Sequence, residues 1–342
     1  SSFTLDTIAP SAPVFALGTG VAGGATATEA TQAGGVVTLT AESGAAVSVT
    51  FTNGANTVTK SLTGTGASQA VTLTSADLTT LGNGTISVSA SATDSAGNTS
   101  ALGNSSFTLD TIAPSTPVAP TVIANISSGI SASEATSGFS VTTSLVGTNA
   151  VAGDTIKLVI NGGTTNLSAT LSASDITNGT YTFTVTNSSI TANTNNTFAA
   201  QVIDAAGNAG PASSTISLAY DTIAPAVTAV TDNTAASVTN APITFNVVFG
   251  EAVVGSVTTA NFTATNGTVS SVTTVDSTHY TVVVTPSSNV ASGTVALSLV
   301  GTGLTDLAGN AIANASLSGL DAQSIDTLAP SAPVFALGTG VA

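Results

Sequence analysis

The acidic residues of this chain are few, and seven of the 17 are aspartates that begin motifs recurring at a nearly fixed interval. The motif Asp-x-Ala-Gly-Asn begins at three positions, Asp94, Asp204 and Asp306. A second motif, Asp-Thr-Ile/Leu-Ala-Pro, begins at four positions, Asp6, Asp110, Asp221 and Asp326. Carboxylates together with backbone carbonyls are hard oxygen donors of the kind that Ca²⁺ prefers. The chemistry that these residues could perform is therefore the binding of a divalent cation.

The charge balance points the same way and excludes two classes of partner. The chain has 342 residues, with 17 acidic side chains against two lysines, and its formal net charge is −15 at pH 7. Nucleic-acid binding depends on basic side chains that neutralise phosphate, so no nucleic acid is expected as a partner. An anionic membrane surface is disfavoured for the same reason. Such a chain either repels itself or binds cations.

The rest of the composition predicts a folded, strand-rich chain. Hydrophobic residues make up 42% and charged residues only 6%, the opposite of a disordered segment. There is no cysteine, so disulfides and thiol chemistry are excluded. No apolar run reaches transmembrane length, and the first residues lack the features of a signal peptide. Residues 6–22 and 326–342 differ at one position only, so we expect a fragment of a longer repeating array.

Short segments of alternating apolar and polar residues predict antiparallel β-sandwiches. Examples are residues 47–52, 155–160, 243–249 and 294–299. Asn53-Gly54 is expected to form a hairpin, and residues 75–81 a short helix capped by Ser75. About seven short strands per 100 residues fit an immunoglobulin-like fold.

The repeat interval sets the predicted domain boundaries. Successive Asp-Thr-Ile/Leu-Ala-Pro motifs are 104, 111 and 105 residues apart, which is the length of one domain per repeat. We call residues 10–109 repeat one, 110–220 repeat two and 221–325 repeat three, a divergent subtype. Residues 1–9 would end a preceding repeat, and residues 326–342 would begin a fourth. The expected fold is all-β, with tandem immunoglobulin-like sandwiches arranged end to end as a rod.

This fold is expected to bring acids together at one end of each sandwich. The chain enters the sandwich at the end that carries the B–C and F–G loops. The linker aspartate, an acid after strand B and the aspartate of the Asp-x-Ala-Gly-Asn loop should therefore converge. The predicted sets are Asp6, Glu42 and Asp94; Asp110, Asp154 and Asp204; and Asp221, Glu251 and Asp306.

Three further acids are candidates for the same metal sites. Glu29 and Glu134 stand in Ser/Thr-Glu-Ala segments of the A–B loop, next to the following linker. Glu29 could join the Asp110 set and Glu134 the Asp221 set, while Asp326 belongs to the next joint. A simpler interpretation stays open, in which Asp-x-Ala-Gly-Asn is only a turn whose Gly has positive φ and whose Asn bonds its own backbone. Three copies in register, in a chain almost empty of other charge, favour Ca²⁺.

The paired motifs resemble the bacterial Ig-like repeats of giant surface adhesins and biofilm-associated proteins. Thr28-Glu29-Ala30 and Ser133-Glu134-Ala135 are similar to a segment before strand B in that family, and residues 249–253 resemble a related subtype. The resemblance covers essentially the whole chain. It implies a secreted, non-enzymatic extender at the bacterial cell surface, with neighbouring repeats as partners and Ca²⁺ stiffening the joints. The implied metal residues are Asp6, Asp94, Asp110, Asp204, Asp221, Asp306 and Asp326.

The sequence departs from the family pattern in two places. Repeat two has a long B–C loop before Asp154, and repeat three lacks the Glu-Ala segment before strand B. No catalytic site is expected. His279 is the only histidine and is expected to be an ordinary exposed strand residue. Paired carboxylates are also the residues of glycoside hydrolases, but without tryptophan the chain offers no evident aromatic platform for sugar.

Two alternative functions stay open. One is a subunit or segment of a self-assembling surface layer or filament, with lateral self-association through faces rich in Thr and Ser. The other is an Ig-like accessory module of an extracellular carbohydrate-active enzyme. No membrane insertion is expected of this segment in any of these roles.

Overall fold

The computed structural model describes residues 5–122, 126, 129–234 and 239–335. They form two compact units. Unit one runs up to Thr121 and adds Thr142–Phe183 and Phe198–Ile216. Unit two consists of Val122–Val141, Thr184–Thr197 and the chain from Ser217 onward. Repeat one therefore belongs to unit one and repeat three to unit two, whereas repeat two contributes to both.

Repeat one has seven strands in two antiparallel sheets. The strands are β1 (Val14–Leu17), β2 (Val37–Thr40), β3 (Ala46–Asn53), β4 (Asn56–Thr63), β5 (Ser68–Val71), β6 (Gly84–Thr93) and β7 (Gly103–Leu109). One sheet has the order β1-β2-β5 and the other β4-β3-β6-β7. The β3–β4 hairpin closes through a two-residue turn after Asn53, at Gly54 with φ 58°, so the predicted Asn-Gly hairpin is confirmed.

The core of repeat one follows from the alternation along its strands. Val47, Val49 and Phe51 on β3 are buried, while the polar residues between them are not. A period of two places every second side chain on the same face of a sheet. Phe51 is fully buried and contacts Phe107 edge to face, with ring centroids 6.4 Å apart. The buried apolar residues from Val21 to Leu109 form one continuous cluster.

Four short helices lie in the connections and share one way of beginning. They are α1 (Ala27–Ala30), α2 (Ser75–Leu81), α3 (Ala132–Ser137) and α4 (Ala173–Asn178). Each helix follows a capping Ser or Thr whose hydroxyl accepts the N–H of the third helical residue. That third residue is an Asp or Glu, and its carboxylate accepts the N–H of the capping residue. The bounds predicted for α2 are confirmed, but the predicted cap is wrong. Thr74 caps the helix, and Ser75 is its first residue.

The part of repeat two that the structure describes contributes seven strands to two sheets. They are β8 (Thr121–Val122), β9 (Phe139–Ser144), β10 (Thr155–Ile160), β11 (Thr165–Thr170), β12 (Thr180–Val185), β13 (Thr194–Ile203) and β14 (Ile216–Tyr220). The sheet orders are β11-β10-β13-β14 and β12-β9-β8. β10 has the predicted bounds, and every second residue along it, Ile156, Leu158 and Ile160, is buried.

The described residues of repeat three form nine strands. They are β15 (Val227–Asp232), β16 (Ile243–Phe249), β17 (Phe262–Ala264), β18 (Gly267–Thr274), β19 (His279–Pro286), β20 (Gly293–Val295), β21 (Leu297–Leu299), β22 (Ala315–Ser316) and β23 (Gln323–Ile325). The sheets have the orders β15-β16-β19-β18, β17-β21-β22 and β20-β23. Residues 294–299, predicted as one strand, divide into β20 and β21, which pair with different partners. A second apolar cluster, from Val230 to Ile325, forms the core of this repeat.

The all-β sandwich fold predicted from the alternation is confirmed. The domain boundaries stay predictions. Of the flanking repeats that the sequence predicts, residues 1–4 and 336–342 lie outside the described part of the chain. No helix among the described residues is both long enough and apolar enough to cross a membrane.

Candidate metal centre at the joints between repeats

Each linker begins with an aspartate that fixes its own local turn. The Oδ1 atom of the aspartate accepts the N–H of the residue two positions later, in a three-residue Asx turn. The four donors are Ile8, Ile112, Ile223 and Leu328, at 2.9–3.0 Å from Asp6, Asp110, Asp221 and Asp326. The side chain of each linker aspartate is therefore oriented by its own backbone.

The Asp-x-Ala-Gly-Asn segments form tight loops around their first aspartate. In repeat three, Asp306 Oδ1 accepts the N–H groups of Gly309 and Asn310 at 2.6 and 2.8 Å, and Oδ2 accepts Asn310 Nδ2 at 2.7 Å. Gly309 has φ 100°, which glycine adopts at little cost. Asp306 is 3% exposed. The turn is present as the simpler interpretation proposed, but the asparagine side chain does not bond its own backbone.

The asparagine of each loop instead connects the loop to the linker that precedes the repeat. Its Nδ2 group donates to the main-chain oxygen of the linker aspartate as well as to the carboxylate of the loop. The distances to the linker oxygen are 3.2 Å for Asn98 to Asp6, 3.0 Å for Asn208 to Asp110 and 2.9 Å for Asn310 to Asp221. Asn310 Oδ1 also accepts the N–H of Ala132 at the start of α3.

The predicted set of repeat three is brought together. Asp221, Glu251 and Asp306 each offer a carboxylate oxygen, and these three atoms lie within 4.8 Å of one another. Among the residues that the structure describes, no other group of three or more His, Cys, Asp or Glu side chains meets that distance. Asp221 comes from the linker, Glu251 follows β16, and Asp306 comes from the loop.

The electrostatics of this cluster fit a divalent cation. Desolvation by burial raises the pKa of Glu251, and the charges of Asp221 and Asp306 raise it further. Neither lysine of the chain lies in repeat three, and its histidine, His279, bonds Asp276 outside the cluster. Three carboxylates at this spacing form an all-oxygen donor set, which suits Ca²⁺. A bound cation would supply the missing positive charge.

The predicted set of the preceding joint is arranged differently. Asp110, Asp154 and Asp204 line one cleft of about 470 Å³, but their oxygens do not form a cluster within the same distance. Asp154 is 2% exposed, and each of its oxygens accepts a backbone N–H, Oδ1 from Ala205 at 3.1 Å and Oδ2 from Val151 at 2.9 Å. Asp154 thus connects its own loop to the loop of Asp204.

The first predicted set is not gathered into a cluster among the described residues. Asn98 connects the Asp94 loop to Asp6, and its hydrogen bonds hold the pKa of Asp94 below the ordinary value. Glu42 lies exposed after β2.

The two glutamates of the A–B segments act as helix caps. Glu29 Oε2 accepts the N–H and the hydroxyl of Thr26, and Glu134 Oε2 does the same with Ser131. The A–B segment does lie beside the following linker, because the Asp110 N–H donates to the Ala25 oxygen at 3.0 Å. Neither glutamate belongs to the carboxylate cluster.

Residues 221–323 match the family model described as "Bacterial Ig-like domain". Repeat three is a bacterial Ig-like domain. The resemblance drawn from the sequence motifs is thereby confirmed for this repeat. The carboxylate cluster consists of three residues of this domain, with Asp221 at its first position.

Among solved structures, the chain is similar to a 1.5-MDa bacterial ice-binding adhesin (22% identity, 92% of this chain and 96% of that chain, TM-score 0.34). It is also similar to a tetra-tandem repeat in the extending region of a large adhesion protein (19%, 90% and 74%, TM-score 0.27). A third is a structure of fibronectin(III)-like modules of Clostridium thermocellum CbhA (14%, 61% and 95%, TM-score 0.36). With TM-scores this low, these likenesses carry no argument about function. No curated protein matches the chain.

The functional residues that the sequence did not predict are the asparagines. Asn310 connects the loop of the bacterial Ig-like domain to its linker and to α3. From repeat two, which precedes this linker, Asn193 Oδ1 accepts the N–H and the hydroxyl of Thr222 at 2.9 Å each. Two features of the sequence could have pointed to these residues. An asparagine ends every Asp-x-Ala-Gly-Asn motif, and another, Asn83 or Asn193, directly precedes β6 or β13.

Proposed function

We propose that this chain is an extender segment of a secreted bacterial surface adhesin, in which Ca²⁺ at the joint fixes the linker to the following repeat. The observation that carries the proposal is the cluster of Asp221, Glu251 and Asp306, three carboxylates within 4.8 Å from three separate segments. Tandem repeats at domain length and the family of repeat three support the extender role.

The roles of the three side chains follow from their places in the fold. Asp221 belongs to the linker, and its Asx turn holds the carboxylate relative to the Asp-Thr-Ile backbone. Asp306 is held by the amides of its own loop. Among the described residues the Glu251 carboxylate has no hydrogen-bond donor that would fix it, and the charges of the other two raise its pKa. Ca²⁺ bound by all three would supply the positive charge that links these segments.

In this function the chain performs no reaction. Its partners are the neighbouring repeats of the same polypeptide, and its location is the outer surface of the cell. A spacer in a long adhesin has to hold successive repeats in fixed positions relative to one another. Its function therefore depends on rigid joints more than on any binding pocket. Mg²⁺ should replace Ca²⁺ poorly, because it requires a rigid, water-rich octahedral site.

The stiffening is tested by a distance distribution across the joint. The chain contains no cysteine, so two introduced cysteines can be labelled selectively with spin labels. Ser188→Cys and Thr273→Cys place the labels at exposed positions on either side of the linker. Millimolar Ca²⁺ should narrow the distribution relative to chelator, and the same pair with Glu251→Gln should stay broad in both. Equal widths with and without Ca²⁺ in the parent pair would exclude a stiffening role.

A further inference from the structure

Each described linker between repeats is also held from the side of the repeat that it leaves. Asn83 directly precedes β6, and Asn193 directly precedes β13. Asn83 Oδ1 accepts the Thr111 N–H at 3.2 Å and the Thr111 hydroxyl at 2.8 Å. Asn193 makes the same two bonds to Thr222, at 2.9 Å each. The same device thus occurs at two successive linkers.

The two asparagine bonds act on adjacent residues of one linker. Asn83 bonds Thr111, and its Nδ2 donates to Asp110 Oδ1 at 3.0 Å. Asn208, from the loop that follows, donates to the main-chain oxygen of Asp110 at 3.0 Å. At the next linker, Asn193 and Asn310 hold the corresponding Thr222 and Asp221. We call each pair, Asn83 with Asn208 and Asn193 with Asn310, an asparagine clamp.

We propose that the asparagine clamps order the linkers without metal, so that Asn83, Asn193, Asn208 and Asn310 are positioning residues of the joints. All clamp bonds join amide, hydroxyl and carboxylate or carbonyl groups, and none requires a cation. The clamps hold the Asp-Thr backbone between two loops, whereas the carboxylate cluster gathers side chains at one of the two joints only. This inference goes beyond the proposed function, because the clamps act on both linkers and in the absence of Ca²⁺.

The third linker is held by a different set of bonds to its threonine. Thr327 donates its N–H to the Val290 oxygen at 2.7 Å, and its hydroxyl accepts the Val290 N–H at 2.9 Å. The same hydroxyl donates to the Ser287 oxygen at 2.7 Å. The threonine of the linker is therefore bonded in all three cases, twice by an asparagine side chain and once by backbone.

Amide hydrogen exchange in chelator tests the proposal, because local opening exposes the N–H groups that the clamp protects. Asn83→Ala should speed the exchange of the Thr111 amide by about fivefold, the ratio that corresponds to one ordinary hydrogen bond. Asn193→Gly should do the same at Thr222; glycine is chosen because Asn193 has φ 56°. Each variant controls for the other, since only its own linker should respond.

Asn104→Ala removes an exposed asparagine of repeat one whose side chain donates to the nearby Leu102 oxygen at 3.5 Å, and it should change neither amide. If either variant unfolds a repeat, amides throughout that sandwich will exchange. In that case Thr111→Val, which removes only the hydroxyl bond to Asn83, replaces Asn83→Ala as the test of the first clamp. Free exchange of both threonine amides in the parent protein under chelator would overturn the proposal. So would unchanged exchange in Asn83→Ala and Asn193→Gly. Because Ca²⁺ is absent throughout, failure here is distinguishable from failure of the proposed calcium function.

Discussion

A carboxylate oxygen of Glu251 lies within 4.8 Å of one of Asp306, and Asp221 completes the cluster at the same spacing. Asp306 is held by its own loop, whereas Glu251 has a pKa raised by desolvation and by its two acidic neighbours. Glu251 is therefore a source of repulsion in the absence of a cation and a ligand in its presence. This double role gives substitutions of Glu251 opposite effects in the two conditions.

Glu251→Gln should stabilise the protein in chelator and destabilise it, relative to the parent, in Ca²⁺. In chelator the gain should be less than about 1 kcal/mol, because solvent screens partly exposed charges. In Ca²⁺ the parent gains binding free energy that the variant largely loses, about 2.7 kcal/mol at a hundred times the Kd. Thermal unfolding of both proteins in both conditions measures the crossover. The same sign of change in chelator and in Ca²⁺ would contradict the assignment of Glu251.

The raised pKa of Glu251 also fixes the sign of a pH effect in chelator. The folded state binds the Glu251 proton more tightly than the unfolded chain, whose ordinary value is 4.5. The contribution of Glu251 to stability is therefore largest below pH 4.5, and it declines as the pH rises through the raised pKa. Subtracting the stability of Glu251→Gln from that of the parent at each pH isolates this term. A difference that rises with pH over this range would have the wrong sign.

The capping of α2 gives a prediction with an adjacent control. Thr74→Ala removes the hydroxyl that accepts the Asp77 N–H and should lower the free energy of unfolding of repeat one by about 1 kcal/mol. Ser75→Ala changes the first helical residue and should have almost no effect. Urea denaturation of the two variants distinguishes them. A cost for Ser75→Ala as large as that for Thr74→Ala, or larger, would contradict the assignment of Thr74 as the cap.

The predicted domain boundaries are tested by two buried phenylalanines. Phe51 and Phe245 are both fully buried, in the separate apolar clusters of repeats one and three. Truncation of either to alanine should cost about 3–5 kcal/mol, through lost burial and the cavity that remains. Residue-resolved NMR during a urea titration should show Phe51→Ala lowering the midpoint of repeat one alone, and Phe245→Ala that of repeat three alone. If both repeats lose stability together in either variant, they do not fold independently.

The fold could be predicted from the sequence where a local pattern carried the information. β10 and β16 carry an apolar residue at every second position, and their bounds were predicted correctly. The division of residues 294–299 into β20 and β21 was missed, since the alternation continues through the point where the two strands pair with different partners. The cap of α2 was misassigned because Thr74 and Ser75 are both suitable capping residue types. The backbone conformation decides between them: Thr74 is extended, whereas Ser75 is already helical.

The candidate site was partly predictable for a different reason. The repeated motifs and the topology of the fold were enough to group Asp221, Glu251 and Asp306. They were not enough to show that both oxygens of Asp154 accept backbone N–H groups, because that depends on the path of a long loop. The partners of Asn208 and Asn310 lie 98 and 89 residues away, and a local motif contains no information about them.

Calorimetric titration of Ca²⁺ into the metal-free protein tests the central claim most directly. The parent should bind Ca²⁺, and Glu251→Gln should remove one binding event or weaken it by at least about tenfold, a loss of about 1.4 kcal/mol. Asp276→Asn makes the same change of charge in repeat three, at a carboxylate that bonds His279 outside the cluster, and should bind as the parent does. If Glu251→Gln and Asp276→Asn both bind Ca²⁺ as the parent does, or if the parent binds none, Asp221, Glu251 and Asp306 are not a calcium site.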